Sequence, residues 1–292
     1  AEVFGAHPYG HGGLGTTRAL DALTLDEVRA AWQRLIVPSR STLVVAGDVT
    51  PGAVMRAATA LFGSWRGAGE TTSGVVSGSA QRKRPPTSFL LVDRPGAPQS
   101  ELRIGHAGPP RSTPDYHALV TLNAVLGGQF SSRINRNLRE TRGITYGART
   151  AFDMRRAGGS FSCETSVQAD ATAVAVGDVI AECRAIQAPG AVGPDELALS
   201  TASLTRGYVR HFETGPHLAR GLVELVTYGL AADTFDRFVP GVEAVTAADV
   251  ARVSQDALRP DDCTVVVVGD AARCRAPLEA LGRPVVMCEP EF

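Results

Sequence analysis

Apolar side chains at Val28, Ala31, Trp32, Leu35 and Ile36 follow a Thr24 cap with Asp26 and Glu27 in the first turn. That spacing predicts an amphipathic helix, which Pro38 ends. A strand is predicted at 42–46, a turn at Gly47-Asp48, and a second helix from about 51 to 62. Two strands, 88–93 and 101–106, are joined by RPGAPQ, and a helix is expected near 116–126. Segments 145–152 and 159–167 read as an antiparallel pair around a turn at 156–158. Helical patterns fill 169–186, 194–212, 217–228 and 234–239. The chain then reads as a helix at 247–258, a strand at 263–268, a short helix, and an extended stretch at 284–287.

Between these patterned regions, 65–86 is poor in large apolar side chains and rich in Gly, Ser and Thr, and it ends in RKRPP. It reads as a linker. The regions on either side repeat one another. At an offset of 222 positions, 23–48 falls on 245–270 without a gap, and nine of the 26 positions are identical. They include Thr24 on Thr246, Pro38 on Pro260, Thr42 on Thr264 and Gly47-Asp48 on Gly269-Asp270. With a small gap, Tyr9-Gly10 also falls on Tyr228-Gly229. So long a period means duplicated domains and not a solenoid. The expected organisation is 1–64 as the later part of a first domain, 65–86 as linker and 87–292 as a whole second domain. The first lacks a counterpart of roughly residues 87–220, about 130 positions, so it should pack against another segment or chain.

Chemistry concentrates at GGQFSSRINRNLRETRGITYG, 127–147. A short basic helix is expected there, with Arg133, Arg136 and Arg139 three apart on one face and a strand starting near Ile144. A guanidinium and a phenol then meet at one corner, Arg139 with several donors and Tyr146 with one, suited to a peptide carbonyl or developing oxyanion. The bland alternative stays open: a solvated arginine face beside Glu140, and a tyrosine that only packs. Gly127-Gly128 lacks the strand, loop and lysine of a phosphate-binding loop.

Composition removes several classes. Twenty-nine basic against 30 acidic residues leave no basic footprint for nucleic acid. No apolar run has the length of a membrane span. The five cysteines, 163, 183, 263, 274 and 288, form no C-x-x-C pair and suggest neither a disulfide framework nor a structural zinc site. His7 and His11 have a metal-ligand spacing, but Pro8, Gly10, Gly12 and Gly13 oppose a helix, so a turn is expected. The sequence opens at Ala1 without a charged-then-apolar leader, and its compartment is left unknown.

LGGQFSSRINRNLRETRGITYG with the following GGSFSCETS resembles the second homologous domain of the insulinase-like (pitrilysin) zinc metallopeptidases. HPYGHGGLG, LTLDEVRAAWQRLIVPSRSTLVVAGDV and FGSW resemble the back half of that family's first domain. The resemblance implies an α+β fold. It consists of duplicated alpha-beta roll domains, each an antiparallel or mixed sheet backed by helices, with the first truncated at its N-terminus. It also implies that Arg139 and Tyr146 hold the backbone of an extended peptide or unfolded polypeptide near a zinc ion.

The family's H-x-x-E-H helix is missing from this sequence, and its six histidines include none with the required Glu-His partner. His117 lies in HALVTLNAVL, at the helix matching the motif's place, and offers no ligand set. No metal ligand and no catalytic residue is therefore expected on this chain, which alone should be inactive. Zinc is implied only for a complete parent enzyme or partner. The expected function is the substrate-binding, non-zinc portion of such a peptidase, with the zinc site on a missing segment or a partner chain, or with self-association. The alternative is a catalytically inactive member serving as partner subunit or scaffold.

Overall fold

The computed structural model of the chain describes residues 2–67 and 88–289. Most of the linker expected at 65–86 lies outside the described residues. The first unit has short helical turns at Pro8–Gly10 and Pro38–Arg40, and helices α1 (Thr17–Ala22), α2 (Leu25–Leu35) and α3 (Pro51–Phe62). The second unit opens with strands β1 (Phe89–Asp93) and β2 (Gln99–Gly108), helix α4 (Tyr116–Asn123) and one helical turn, α5 (Arg133–Asn135). Strands β3 (Ala148–Met154) and β4 (Gly159–Gln168) form the expected hairpin. Helices α6 (Thr172–Ala185), α7 (Pro194–Tyr208), α8 (Gly215–Tyr228), α9 (Thr234–Glu243) and α10 (Ala247–Ala257) follow. The last described elements are β5 (Thr264–Gly269), α11 (Ala271–Glu279) and β6 (Val285–Met287).

The six strands make one mixed sheet in the order β3-β4-β2-β5-β1-β6, antiparallel from β3 to β5 and parallel among β5, β1 and β6. Alternation along each strand decides which face is buried. Leu102, Ile104, Phe161, Cys163, Val265, Val267 and Leu91 are all almost fully buried, under α4, α6, α10 and α11. Each such Leu, Ile or Phe contributes on the order of 1.5–3 kcal/mol. The alternate residues carry charge on the open face, where Arg103 of β2 lies 3.6 Å from both Glu101 and Glu164. This is the helix-backed mixed sheet of an α+β roll.

The repeat seen in the sequence is also a repeat of local structure. Thr24 and Thr246 each close a capping box, with Glu27 and Asp249 respectively, and each helix leads to a Pro-initiated turn, Pro38–Arg40 and Pro260–Asp262. The copies then diverge. Residues 264–269 form β5 between β1 and β2, whereas 42–46, expected as a strand, pair with no strand among the described residues. A strand exists through its ladder, and no described strand lies beside 42–46 as β1 and β2 lie beside β5. The helix shows the same contrast. Val250 and Ser254 of α10 are fully buried, while their equivalents on α2, Val28 and Trp32, are 46% and 59% exposed.

Candidate functional site: the helix-to-strand corner at residues 127–149

The 127–147 stretch folds into a tighter and less regular corner than its spacing suggested. Wide, π-helical turns at Ala124–Gly128 and Arg136–Thr141 bracket α5. Thr141 Oγ1 donates to Arg136 O at 3.0 Å, and Arg142 N to Asn137 O at 3.0 Å. Such five-residue spacing rotates successive side chains away from one shared stripe. The three arginines therefore do not form one solvated face. Arg133 makes a two-pronged bond to Glu196 of α7, Nε to Oε1 at 2.7 Å and Nη2 to Oε2 at 2.5 Å, and also reaches Ala191 O at 2.6 Å. That hydrogen-bonded carboxylate holds the Arg133 guanidinium still more firmly protonated than usual. Arg136 lies 3.6 Å from the same Glu196. Arg139 turns elsewhere, its Cζ 3.6 Å from the ring centroid of Phe130, a cation–π stack.

Arg139 is also incompletely satisfied. Its Nη1 is buried without a hydrogen-bond partner among the described residues, Glu140 standing 3.9 Å away, beyond hydrogen-bond range. Tyr146 is the opposite case, 92% exposed. It does not open a strand, because β3 starts two residues later at Ala148. The loop that carries it is nonetheless fixed at both ends. Gly143 takes a left-handed φ of +64°, which glycine adopts without a Cβ clash, and Ile144 N returns to Leu138 O at 3.0 Å. Thr145 Oγ1 lies 2.7 Å from Ser166 O and accepts from Gly147 N at 3.1 Å, pinning the loop to β4.

The corner sits at the edge of the sheet, since β3 has a strand on one side only. Beside it opens a cavity of about 480 Å³ lined by Phe130, Gly147, Arg149, Arg103 and Glu164 among others. Arg139 and Tyr146 do not line it; their neighbours Phe130 and Gly147 do. The Gly127-Gly128 pair proves to be a packing device. A Cβ on Gly127 would stand 2.5 Å from Thr150 Cγ2, so only glycine lets the wide turn lie against β3. Phe130, Asn135 and Thr145 complete the corner and were not picked out from the sequence. The available signal was a poor helix former, Asn135, in mid-helix, and a large aromatic beside two glycines.

The residues present do not fit a metal. Among the described residues no group of three or more His, Cys, Asp or Glu side chains is placed to hold a metal ion. His7 Nδ1 accepts from Tyr9 N at 3.1 Å within its own turn, and its Nε2 is buried without a hydrogen-bond partner among the described residues. Burial pushes the thiols of Cys163 and Cys263 up to about 12, where they stay protonated. Among the described residues no helix is long and apolar enough to cross a membrane.

The fold and sequence have clear relatives. A Mycobacterium leprae protein named an uncharacterized zinc protease is 29% identical over 217 residues, 73% of this chain and 47% of that protein. The chain thus spans about half the length of that relative. A solved structure titled as a peptidase M16 inactive domain, from Pseudomonas fluorescens, superposes with a TM-score of 0.76 at 20% identity, covering 99% of this chain and 64% of that one. A chain of the Candida albicans Complex III assembly superposes with a TM-score of 0.73 at 12% identity, covering 93% and 65%. At such identities the two superpositions speak for the fold alone. Residues 22–200 match the family model described as the peptidase M16 inactive domain, and the chain belongs to that family, the insulinase-like one its Arg-Tyr signature resembles.

Proposed function

We propose that this chain is the substrate-gripping, non-zinc part of an insulinase-like peptidase. Arg139 and Tyr146 take the backbone of an extended peptide and present it to a zinc site carried outside the described residues, on a preceding segment or a partner chain. The observation that carries this reading is the Arg139 guanidinium, braced on Phe130 with Nη1 buried and without a hydrogen-bond partner among the described residues. A buried, unpaired N–H is costly, and a peptide carbonyl would satisfy it. Tyr146, with its hydroxyl in solvent, supplies a second donor at the same corner. The single-sided β3 offers main-chain groups to an extended chain, the usual way of binding peptides with little sequence preference. Hydrolysis itself belongs to residues this chain does not supply.

A second reading is favoured by one observation. Of the 26 large hydrophobic side chains exposed among the described residues, 14 lie in residues 2–67, which are 66 of the 268 described. A surface this apolar suits a permanent partner, as in a scaffold or inactive subunit. One binding experiment separates the readings. Dye-labelled casein peptides should bind the chain, and Arg139→Ala and Tyr146→Phe should each weaken binding about ten-fold. Unchanged binding in both variants would remove the grip and leave the scaffold reading.

A further inference from the structure

Asn135 is 4% exposed and uses its whole carboxamide. Its Nδ2 lies 2.7 Å from Ala148 O, 3.1 Å from Gln129 O and 3.1 Å from Ser132 Oγ, and its Oδ1 accepts from Ala148 N at 2.8 Å. The exchange with Ala148 copies the paired bonds that a residue of a neighbouring strand would make. One side chain therefore ties three segments together. They are the loop bearing Phe130, α5 with the turn bearing Arg139 that continues directly from it, and the start of β3 just after Tyr146.

From this geometry we infer that Asn135 is a positioning residue, fixing the Phe130–Arg139 stack relative to the Tyr146 loop; its consequence for binding rests on the reading of that corner as a peptide grip. No other side chain fits the task. Aspartate keeps the acceptor and loses both donors, leucine offers neither, and glutamine is one methylene too long for a site packed this closely. Ile134 and Leu138, both fully buried, anchor the same turn in the core.

The test reads Arg139 directly. Held over the Phe130 ring, its guanidinium N–H signals are displaced by the ring current, and Asn135→Ala should return them toward the position of a free arginine while the amides of β1 and β5 hold theirs. Binding of dye-labelled casein peptides should fall about ten-fold. That loss should vanish in an Arg139→Ala/Tyr146→Phe background, because Asn135 acts through those residues. An unmoved Arg139 signal in folded Asn135→Ala, or an equal binding loss in both backgrounds, overturns the inference. If Arg139→Ala and Tyr146→Phe leave binding unchanged while Asn135→Ala moves the Arg139 signal, the grip reading fails and the positioning stands. Should Asn135→Ala not fold, Asn135→Asp, which keeps the bond to Ala148 N, is read by the same criteria.

Discussion

His106 shows how a single residue can carry a stability switch far from the proposed grip. It lies 4% exposed on β2, stacked on Phe161 at 5.2 Å between ring centroids. Nδ1 is 2.9 Å from Ala107 O, a bond that needs the proton there, which leaves Nε2 to accept from Arg259 N at 3.1 Å. Protonating Nε2 would set two donors against each other. Burial, with Arg259 adding to it, holds the His106 pKa below its usual value despite the opposing pulls of Ala107 O and Asp262. The folded state therefore prefers the neutral ring. Its contribution is complete above the unfolded value of about 6.5 and is lost as pH falls from there toward the lowered folded pKa. Burial lowers the His117 pKa too, so the wild-type slope alone does not identify the residue. His106→Gln offers an amide oxygen to Arg259 N without titrating, and urea melts from pH 7 to 5 should show a shallower loss for it than for wild type. Parallel pH profiles would place the acid-sensitive group elsewhere. Of this the sequence showed only a histidine in a predicted strand. Its partner Arg259 lies 153 residues away in the chain and had no local signal.

At the scale of elements, the sequence was most informative where local rules and tertiary contacts agree. The Thr-initiated helices, the hairpin and the repeat were all legible, because caps and periodicity are written within a few residues. The wide turn at Arg136–Thr141 was not, because arginines three apart look alike on any helix until Glu196 and Phe130 divide them. The two capping boxes turn the repeat into a controlled comparison. Thr246→Ala should cost about 1 kcal/mol of global stability, since α10 packs through Val250 and Val253 into the main core. Thr24→Ala removes the same bonds from α2, which buries no residue, and should leave the main urea transition in place. Equal shifts of that transition in both variants would mean that the two units unfold as one.

At the scale of the molecule, one contrast governs how the chain behaves alone. The core cluster draws its members from Phe89 to Val285 and takes none from the first unit. Contacts between the units are local: Ala157 N donates to Tyr9 Oη at 3.3 Å, and Arg155 stands 5.1 Å from the Tyr9 ring centroid. Leu43, Val45 and Met55 instead face Phe212, Leu222 and Phe235 across an apolar cavity of about 890 Å³. The strand expected at 42–46 was a sound inference from composition, since the same pattern at 264–269 does become β5. What a single sequence does not encode is whether neighbouring strands are supplied. By the repeat, 42–46 calls for a parallel neighbour on one side and an antiparallel neighbour on the other, as β1 and β2 flank β5. Hydrogen exchange on the chain alone should therefore find the amides of 42–46 poorly protected while those of 265–267 exchange near the global limit. Protection of 42–46 that rises with protein concentration would assign its cover to a second copy of the chain. Protection appearing only with an added partner would assign it to that partner. Strong protection at every concentration, in the chain alone, would show that the first unit completes its own ladder and would overturn the account of it as half a domain.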